Sequence, residues 1–248
     1  MNYFLLTIFL LNVPVLSQAK EVIRLYTYHN KAPFITDLKK EKGLSFDIAN
    51  VLSKFSKTIE FKTEYIPRKR LDSINNKKVV LWSNPLWVKD PNQSKFLWTG
   101  ELLKDSDIII YNKNINFNFK TLLDLSNQKL VCVRGYYYPD LVSLFKNNHV
   151  ERVDVNSENQ VFKMVQAQRM GVSFGVMSLS TYSYLKDNKK LDSNEIRFTI
   201  GPMKAFYRRI FASKDMNATF QILNKLLKQK EVKKELNLFF KKYGLDTL

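Results

Sequence analysis

Two rhythms of apolar and polar residues take turns along this chain. Val22, Ile23, Leu25, Tyr26 and Tyr28 predict a first strand over 21–28, ending in a loop broken by Pro33. Leu44, Ile48, Leu52 and Phe55 then recur at helical spacing behind Gly43, with Ser45 in position to cap the helix. Over 58–66 the period becomes two. Ile59, Phe61, Thr63 and Tyr65 share one face and Glu60, Lys62 and Glu64 the other, so a strand with one solvated face is expected. Pro67 marks a helix start. Residues 78–82 read as a short buried strand feeding a turn-rich loop, and 96–98 and 106–111 as strands.

The alternation continues in the second half. A helical turn at 121–125 precedes a strand at 128–133, which runs directly into Arg134 and Gly135. A helix at 140–146 and a strand at 150–155 follow. Ser157 then caps a helix carrying Val161, Met164 and Val165. Strands are expected at 172–177, 196–200 and 205–212, with a helix at 180–185. From Asp215 a long amphipathic helix, or a pair, carries Phe220, Leu223, Leu227, Leu236 and Phe240. Strands alternating with helices imply an α/β protein with mainly parallel sheets. Two clusters of such units, 20–110 and 115–200, with a returning C-terminal helix, imply two lobes.

The first residues form an almost wholly apolar run over 3–15, with Pro14 near its end, followed by the small residues Ser17 and Ala19 around Gln18. That pattern predicts a signal peptide over 1–19, cleaved before Lys20. It is shorter than the roughly 20 residues a bilayer span needs. The expected cleavage site is followed directly by Lys20 and not by a cysteine, so no lipid anchor is expected. Cys132 is the single cysteine, which excludes an intrachain disulfide. An exported chain without disulfides suits a bacterial periplasm. A hydrophobic content of 45% excludes a disordered chain. The net charge of +17 comes from scattered lysines, read as a solvated surface, with attraction to anionic lipid or an anionic ligand as the sharper alternatives. Export argues against nucleic acid as a partner, and a monomer is expected.

The order of elements resembles that of periplasmic solute-binding proteins of the amino-acid-binding type (solute-binding family 3), over nearly all of 20–248. The residues that carry the resemblance are Ala32-Pro33-Phe34 after the first strand and the run from Gly43 to Leu52, with Asp47 and Ala49 at the family's spacing. Asp124-Leu125 leading to Val131-Cys132-Val133-Arg134-Gly135, and Lys241-Lys242-Tyr243-Gly244 near the end, complete the set. The resemblance implies a type II fold: lobe one from 20–110 plus 206–248, lobe two from 111–205, and a ligand cleft between them. It implies closure over a small molecule, an inner-membrane ABC permease or a membrane receptor as partner, and neither cofactor nor metal. Its usual arginine for a ligand carboxylate is missing from 83–91, and its usual aspartate for a ligand ammonium is missing from 173–180. The resemblance therefore implies the fold and not an amino-acid ligand.

Ligands of open α/β sheets sit at the carboxyl ends of strands. The loops that meet this condition supply Tyr28, Phe34, Trp82, Asn84, Trp87, Arg134, Tyr136, Tyr137 and Ser178 as the expected ligand-binding set. Tyrosine and tryptophan offer flat apolar faces with a donor, and Arg134 offers a fork for a carboxylate. Trp82 and Phe34 read equally well as core, and the run 136–138 places at least one tyrosine in solvent. His29 has no second ligand at metal spacing. His29 and Asp37 are the nearest candidates for acid–base work, and neither has a visible partner, so a binder is expected rather than an enzyme. A sensory protein, or a dehydratase or lyase on the same fold, are the alternatives.

Overall fold

The computed structural model describes residues 19–74, 77–188 and 194–245; nearly all of the expected signal peptide lies outside them. Strand β1 (Glu21–Thr27) buries Ile23, Leu25 and Thr27 and exposes Val22 and Arg24, the period-two pattern expected of it. Helix α1 (Leu44–Phe55) starts at Gly43 rather than on a serine cap. Gly43 holds φ at 128°, and a Cβ there would lie 2.6 Å from the Phe34 carbonyl oxygen, so the close approach of two backbones demands glycine. Ser45 is pushed into the helix, buried, and accepts from Trp82 Nε1 at 2.9 Å. The capping expected of Ser45 is thus corrected: its hydroxyl serves a core tryptophan. The apolar face of α1 buries Leu44, Ile48 and Leu52 completely, each contributing about 1.5–3 kcal/mol.

Next along the chain come β2 (Ile59–Tyr65), the short α2 (Arg68–Leu71), β3 (Val79–Ser83), β4 (Leu97–Trp98) and the long β5 (Leu103–Asn112). The second half contributes β6 (Gln128–Val133), α3 (Val142–Lys146), β7 (Val150–Val155), α4 (Glu158–Gln166), β8 (Phe174–Ser178) and α5 (Leu179–Asp187). Strands β9 (Ile196–Thr199) and β10 (Ala205–Ala212) lead to α6 (Asn217–Lys228) and α7 (Lys230–Lys242), so the expected C-terminal helix is a pair.

The strands form two parallel trios, β2-β1-β3 and β7-β6-β8, joined through two long antiparallel strands. Residues Arg209–Ala212 of β10 pair with β3, and the preceding four, Ala205–Arg208, pair with Leu103–Ser106 of β5. The rest of β5, Asp107–Tyr111, pairs with β8, and Ile109–Asn112 also with β9. Both β5 and β10 therefore leave one trio and enter the other. The expected parallel sheets are there, and β5 and β10 are the two crossing strands that the type II fold implies.

Each trio has its own core. Leu25, Leu44, Leu81, Leu223 and Phe240 belong to the first, packed by α1, α6 and α7. Ile108 and Ile110 pack with Val161 and Val165 of α4 in the second, and Ile109 packs on the opposite face with Leu130 and Val176. Tyr184 of α5 reaches into the first core, with its ring 5.9 Å from that of Tyr243. Cys132 is buried, and burial pushes its thiol up to about 12, so it stays protonated and unreactive.

Candidate functional site

The site begins with a backbone irregularity. Ser83 of β3 lies opposite Arg209 of β10, but Val80 lies opposite Phe211. Three steps on β3 therefore match two on β10, which is a β-bulge. Trp82 absorbs the extra residue at φ 60°, a left-handed conformation costing roughly 1–2 kcal/mol for a residue with a side chain. Its indole packs into the first core, 5.4 Å from the Phe34 ring and 6.4 Å from Phe240. Its carbonyl accepts from His29 Nε2 at 3.1 Å and from Arg208 Nη1 at 3.4 Å.

Around that carbonyl stand two buried ion pairs. Alternation along β5 puts Leu103, Asp105 and Asp107 on one face, and pairing with β10 sets Arg208 diagonally across from Asp105. Arg208 Nε and Nη2 both lie 2.8 Å from Asp105 Oδ2, and the two side chains are about 1% exposed. Asp105 also accepts from the Ser180 hydroxyl at 2.7 Å and the Ser180 backbone N–H at 3.1 Å. The Arg208 guanidinium lies over the rings of Phe34, Trp87 and Phe206, at 4.7, 5.1 and 5.2 Å from their centroids.

The second pair joins the two trios. Lys31, in the loop after β1, donates to Glu158 at the start of α4, and both side chains are buried. Lys31 Nζ also donates to Ser178 Oγ at 2.8 Å, and Glu158 Oε2 lies 3.2 Å from that hydroxyl. Burial lowers the Lys31 pKa, and Glu158 opposes the change. Beside them, burial holds His29 well below the usual histidine range, reinforced by Arg208 and Lys31, so its ring is neutral. The partners assign its tautomer: Nε2 donates to Trp82 O, and Nδ1 accepts from the Tyr136 hydroxyl at 3.4 Å.

Two cavities open from this framework, and residues of both trios line each one. The inner chamber is walled by Tyr28, His29, Lys31, Arg68, Trp87 and Arg208 on one side and by Asp107, Tyr136, Tyr137 and Tyr138 on the other. It measures about 30 Å³, room for a water or two. Asp107 is partly buried at its wall; burial pushes its carboxyl up to about 7, although Lys31 opposes the shift. The outer cleft measures about 250 Å³. Tyr28, Lys31, Tyr65, Arg68 and Lys69 meet Arg134, Tyr136, Asn156, Ser157 and Glu158 across it.

The sequence-predicted residues divide accordingly. Tyr28 and Tyr136 line both cavities, Trp87 and Tyr137 the inner one, and Arg134 the outer one. Ser178 lies behind the cavities, bonded to Lys31, Glu158 and Thr181. Phe34 and Trp82 are fully buried in the first core and line neither. Asn84 accepts from Leu86 N–H at 2.9 Å, capping a 3-10 turn, and donates to Tyr207 O at 3.1 Å. The charged residues Lys31, Asp105, Asp107, Glu158 and Arg208 were not singled out from sequence. Asp105 and Asp107 at period two in an apolar strand, and Arg208 between Phe206 and Ile210, were readable signals of buried charge. Lys31 and Glu158, 127 residues apart, carry no such signal.

No family model and no curated protein matches this chain. Solved structures do. The structure reported for glutathione import via GshT and the cystine ABC importer TcyBC of Streptococcus mutans superposes with a TM-score of 0.75 at 16% identity, covering 93% of this chain and 98% of its own. An ancestral arginine-binding protein bound to arginine gives 0.71 at 16%, covering 90% and 98%. An ancestral amino-acid-binding protein described as a precursor of cyclohexadienyl dehydratase gives 0.66 at 15%, covering 90% and 95%. At these identities the likeness is one of fold, and it extends over nearly all of each chain.

Proposed function

From the two-lobed periplasmic-binding-protein fold as premise, we propose that this chain is an exported solute-binding protein that closes over a small-molecule ligand and delivers it to an ABC-type permease. The observation that carries this reading is that both cavities take their walls from the two halves of the chain at once, Tyr28, Lys31 and Arg68 facing Tyr136. A ligand there touches both halves only when they are together, so it favours the closed arrangement. The expected division is lobe one from 20–110 plus 206–248 and lobe two from 111–205. We place the hinge where Leu103–Ser106 and Ala205–Arg208 pair, which moves the boundary on β5 back to about residue 107, since Ile108 and Ile110 already pack in the second core. Export with cleavage of 1–19 and residence in the periplasm belong to the same proposal.

A thermal-shift screen of residues 20–248 against organic acids, amino acids, amines and sugars tests it. A ligand that binds the native form alone raises the melting temperature. Small-angle scattering of the complex must then show a radius no larger than that of the free protein. The absence of any shift across the panel would refute the reading.

A second reading has one observation behind it. Asp107 faces the inner chamber with a proton affinity near neutrality, which is what a general base needs. A dehydratase or lyase on this fold would consume its bound ligand, and Asp107→Asn would stop that consumption. A ligand recovered unchanged after prolonged incubation with the wild type excludes it.

A further inference from the structure

The solute-binding reading leaves the chemical class of the ligand open, and the outer cleft narrows it. Four of its lining side chains are cations, Lys31, Arg68, Lys69 and Arg134, against one carboxylate, Glu158. That carboxylate is already bonded to Lys31 and buried. Arg68 uses Nη1 on Asp72, which points to solvent, and Nη2 on the Trp87 carbonyl at 3.3 Å. A guanidinium has five N–H donors, so others stay available. Lys69 and Arg134 are exposed and have no carboxylate partner among the described residues.

Resting on that reading, we propose that the ligand is a small organic anion, carrying a carboxylate or phosphate and no charged amine, held between Arg68 and Lys69 of one lobe and Arg134 of the other. The two lobes bring like charges toward each other here. A Cβ placed on Gly135 would lie 4.0 Å from the Cβ of Arg68, so Arg134, one residue earlier, is anchored close to Arg68 across the cleft. An anion between them removes the mutual repulsion and adds forked hydrogen bonds from both sides. An ammonium in the same place meets four cations and no free carboxylate. The 250 Å³ cavity lies just below the usual range for small-molecule sites, about 300–1,000 Å³, which suits a compact acid. Tyr28 and Tyr136 offer ring faces to its carbon skeleton.

The experiment is calorimetric titration and thermal shift on the 20–248 protein with probes that differ in charge. Phenylacetate, phenylalanine and phenethylamine share a ring and differ in ionic groups. Succinate and inorganic phosphate separate carboxylate from phosphate, with glutamate as the zwitterionic counterpart. The proposal expects at least one acid to bind at least tenfold tighter than its amine-bearing counterpart, and less tightly as salt rises. Arg134→Gln must weaken that acid at least tenfold without moving the melting temperature of the free protein. Arg169→Gln, an equal charge loss at an exposed position away from the cleft, must leave affinity unchanged. Equal or tighter binding of phenylalanine, glutamate or phenethylamine overturns the anion assignment and leaves solute binding standing. So does unchanged acid affinity in Arg134→Gln. No binding by any of these probes overturns the anion assignment; no binding across the wider panel of acids, amino acids, amines and sugars overturns solute binding as well.

Discussion

The two buried ion pairs of this protein look alike in composition and differ in what holds their partners together. Arg208 and Asp105 sit on neighbouring strands already joined by backbone hydrogen bonds. Lys31 and Glu158 sit in different halves of the molecule, and their closeness depends on how those halves are placed. Under the proposed closure the first pair persists, because it lies where the two crossing strands pair with each other. The second forms only when the cleft shuts. A buried pair is weak evidence for stability in general. Where its partners are tethered decides whether it acts as a fixture or as a contact that can be made and broken.

The largest effect should come from the fixture. Arg208→Met leaves Asp105 buried without its cation, and the loss is expected at about 3–5 kcal/mol, readable as a lowered denaturant midpoint. Adding Asp105→Leu should restore most of it, since two apolar groups leave no orphaned charge. If the double variant is no better than Arg208→Met, the pair's electrostatics are not what the site needs. Glu158→Gln should cost less, because opening the cleft lets water reach Lys31. Its signature is a larger scattering radius for the ligand-free protein at nearly the same midpoint. An equal loss of stability in the two variants would erase the distinction between fixture and latch.

Smaller effects sharpen the comparison at the chamber wall. Trp87 packs edge-on against Phe206 and lies under the Arg208 guanidinium. Trp87→Ala should lower the melting temperature by a few degrees, because the ring supports Phe206 and the Arg208 guanidinium, and should change affinity for a ligand in the outer cleft less than tenfold, as thermal denaturation and calorimetry can show. The smallest effect concerns protons, because Asp107 is partly exposed and water screens most of its shift. Asp107 is raised from 3.8 to about 7 in the folded protein, so the native state holds a proton that the unfolded chain releases. Its contribution to stability is therefore present at acid pH and fades as pH rises from about 4 to about 7. Asp107→Asn removes that fade, and its melting temperature should gain on the wild type by a few degrees across this interval. Parallel curves for the two proteins would take Asp107 out of the titration.

The fold was legible because its signals are local. The strand at 128–133 and the one at 150–155 could be read residue for residue from their patterns and their turns. The start of α1 behind Gly43 was readable too, but the role of Ser45 was not, and neither was the reason for Gly43, which lies in the close approach of the Phe34 carbonyl. The aromatic residues at strand ends were readable in part: Tyr28 and Tyr136 line both cavities and Trp87 and Tyr137 the inner one, while Phe34 and Trp82 went to the core. The order in which Trp82 turns inward was hidden, since a bulge depends on the register of β10 against β3, 126 residues apart at the Arg208 contact. Charge pairing between lobes was hidden for the same reason. A lysine in a loop and a glutamate on the first turn of a helix each pass for surface residues until the chain folds.

The Lys31–Glu158 contact also bears on time. Both side chains line the outer cleft, so under the proposed closure a solute enters while they are apart. The rate of capture is then the encounter rate scaled by the fraction of molecules standing open. Escape waits for the same parting, and a solute that favours the closed arrangement makes that parting rarer, so residence lengthens by more than entry slows. A contact between the two halves can in this way set how long the solute stays.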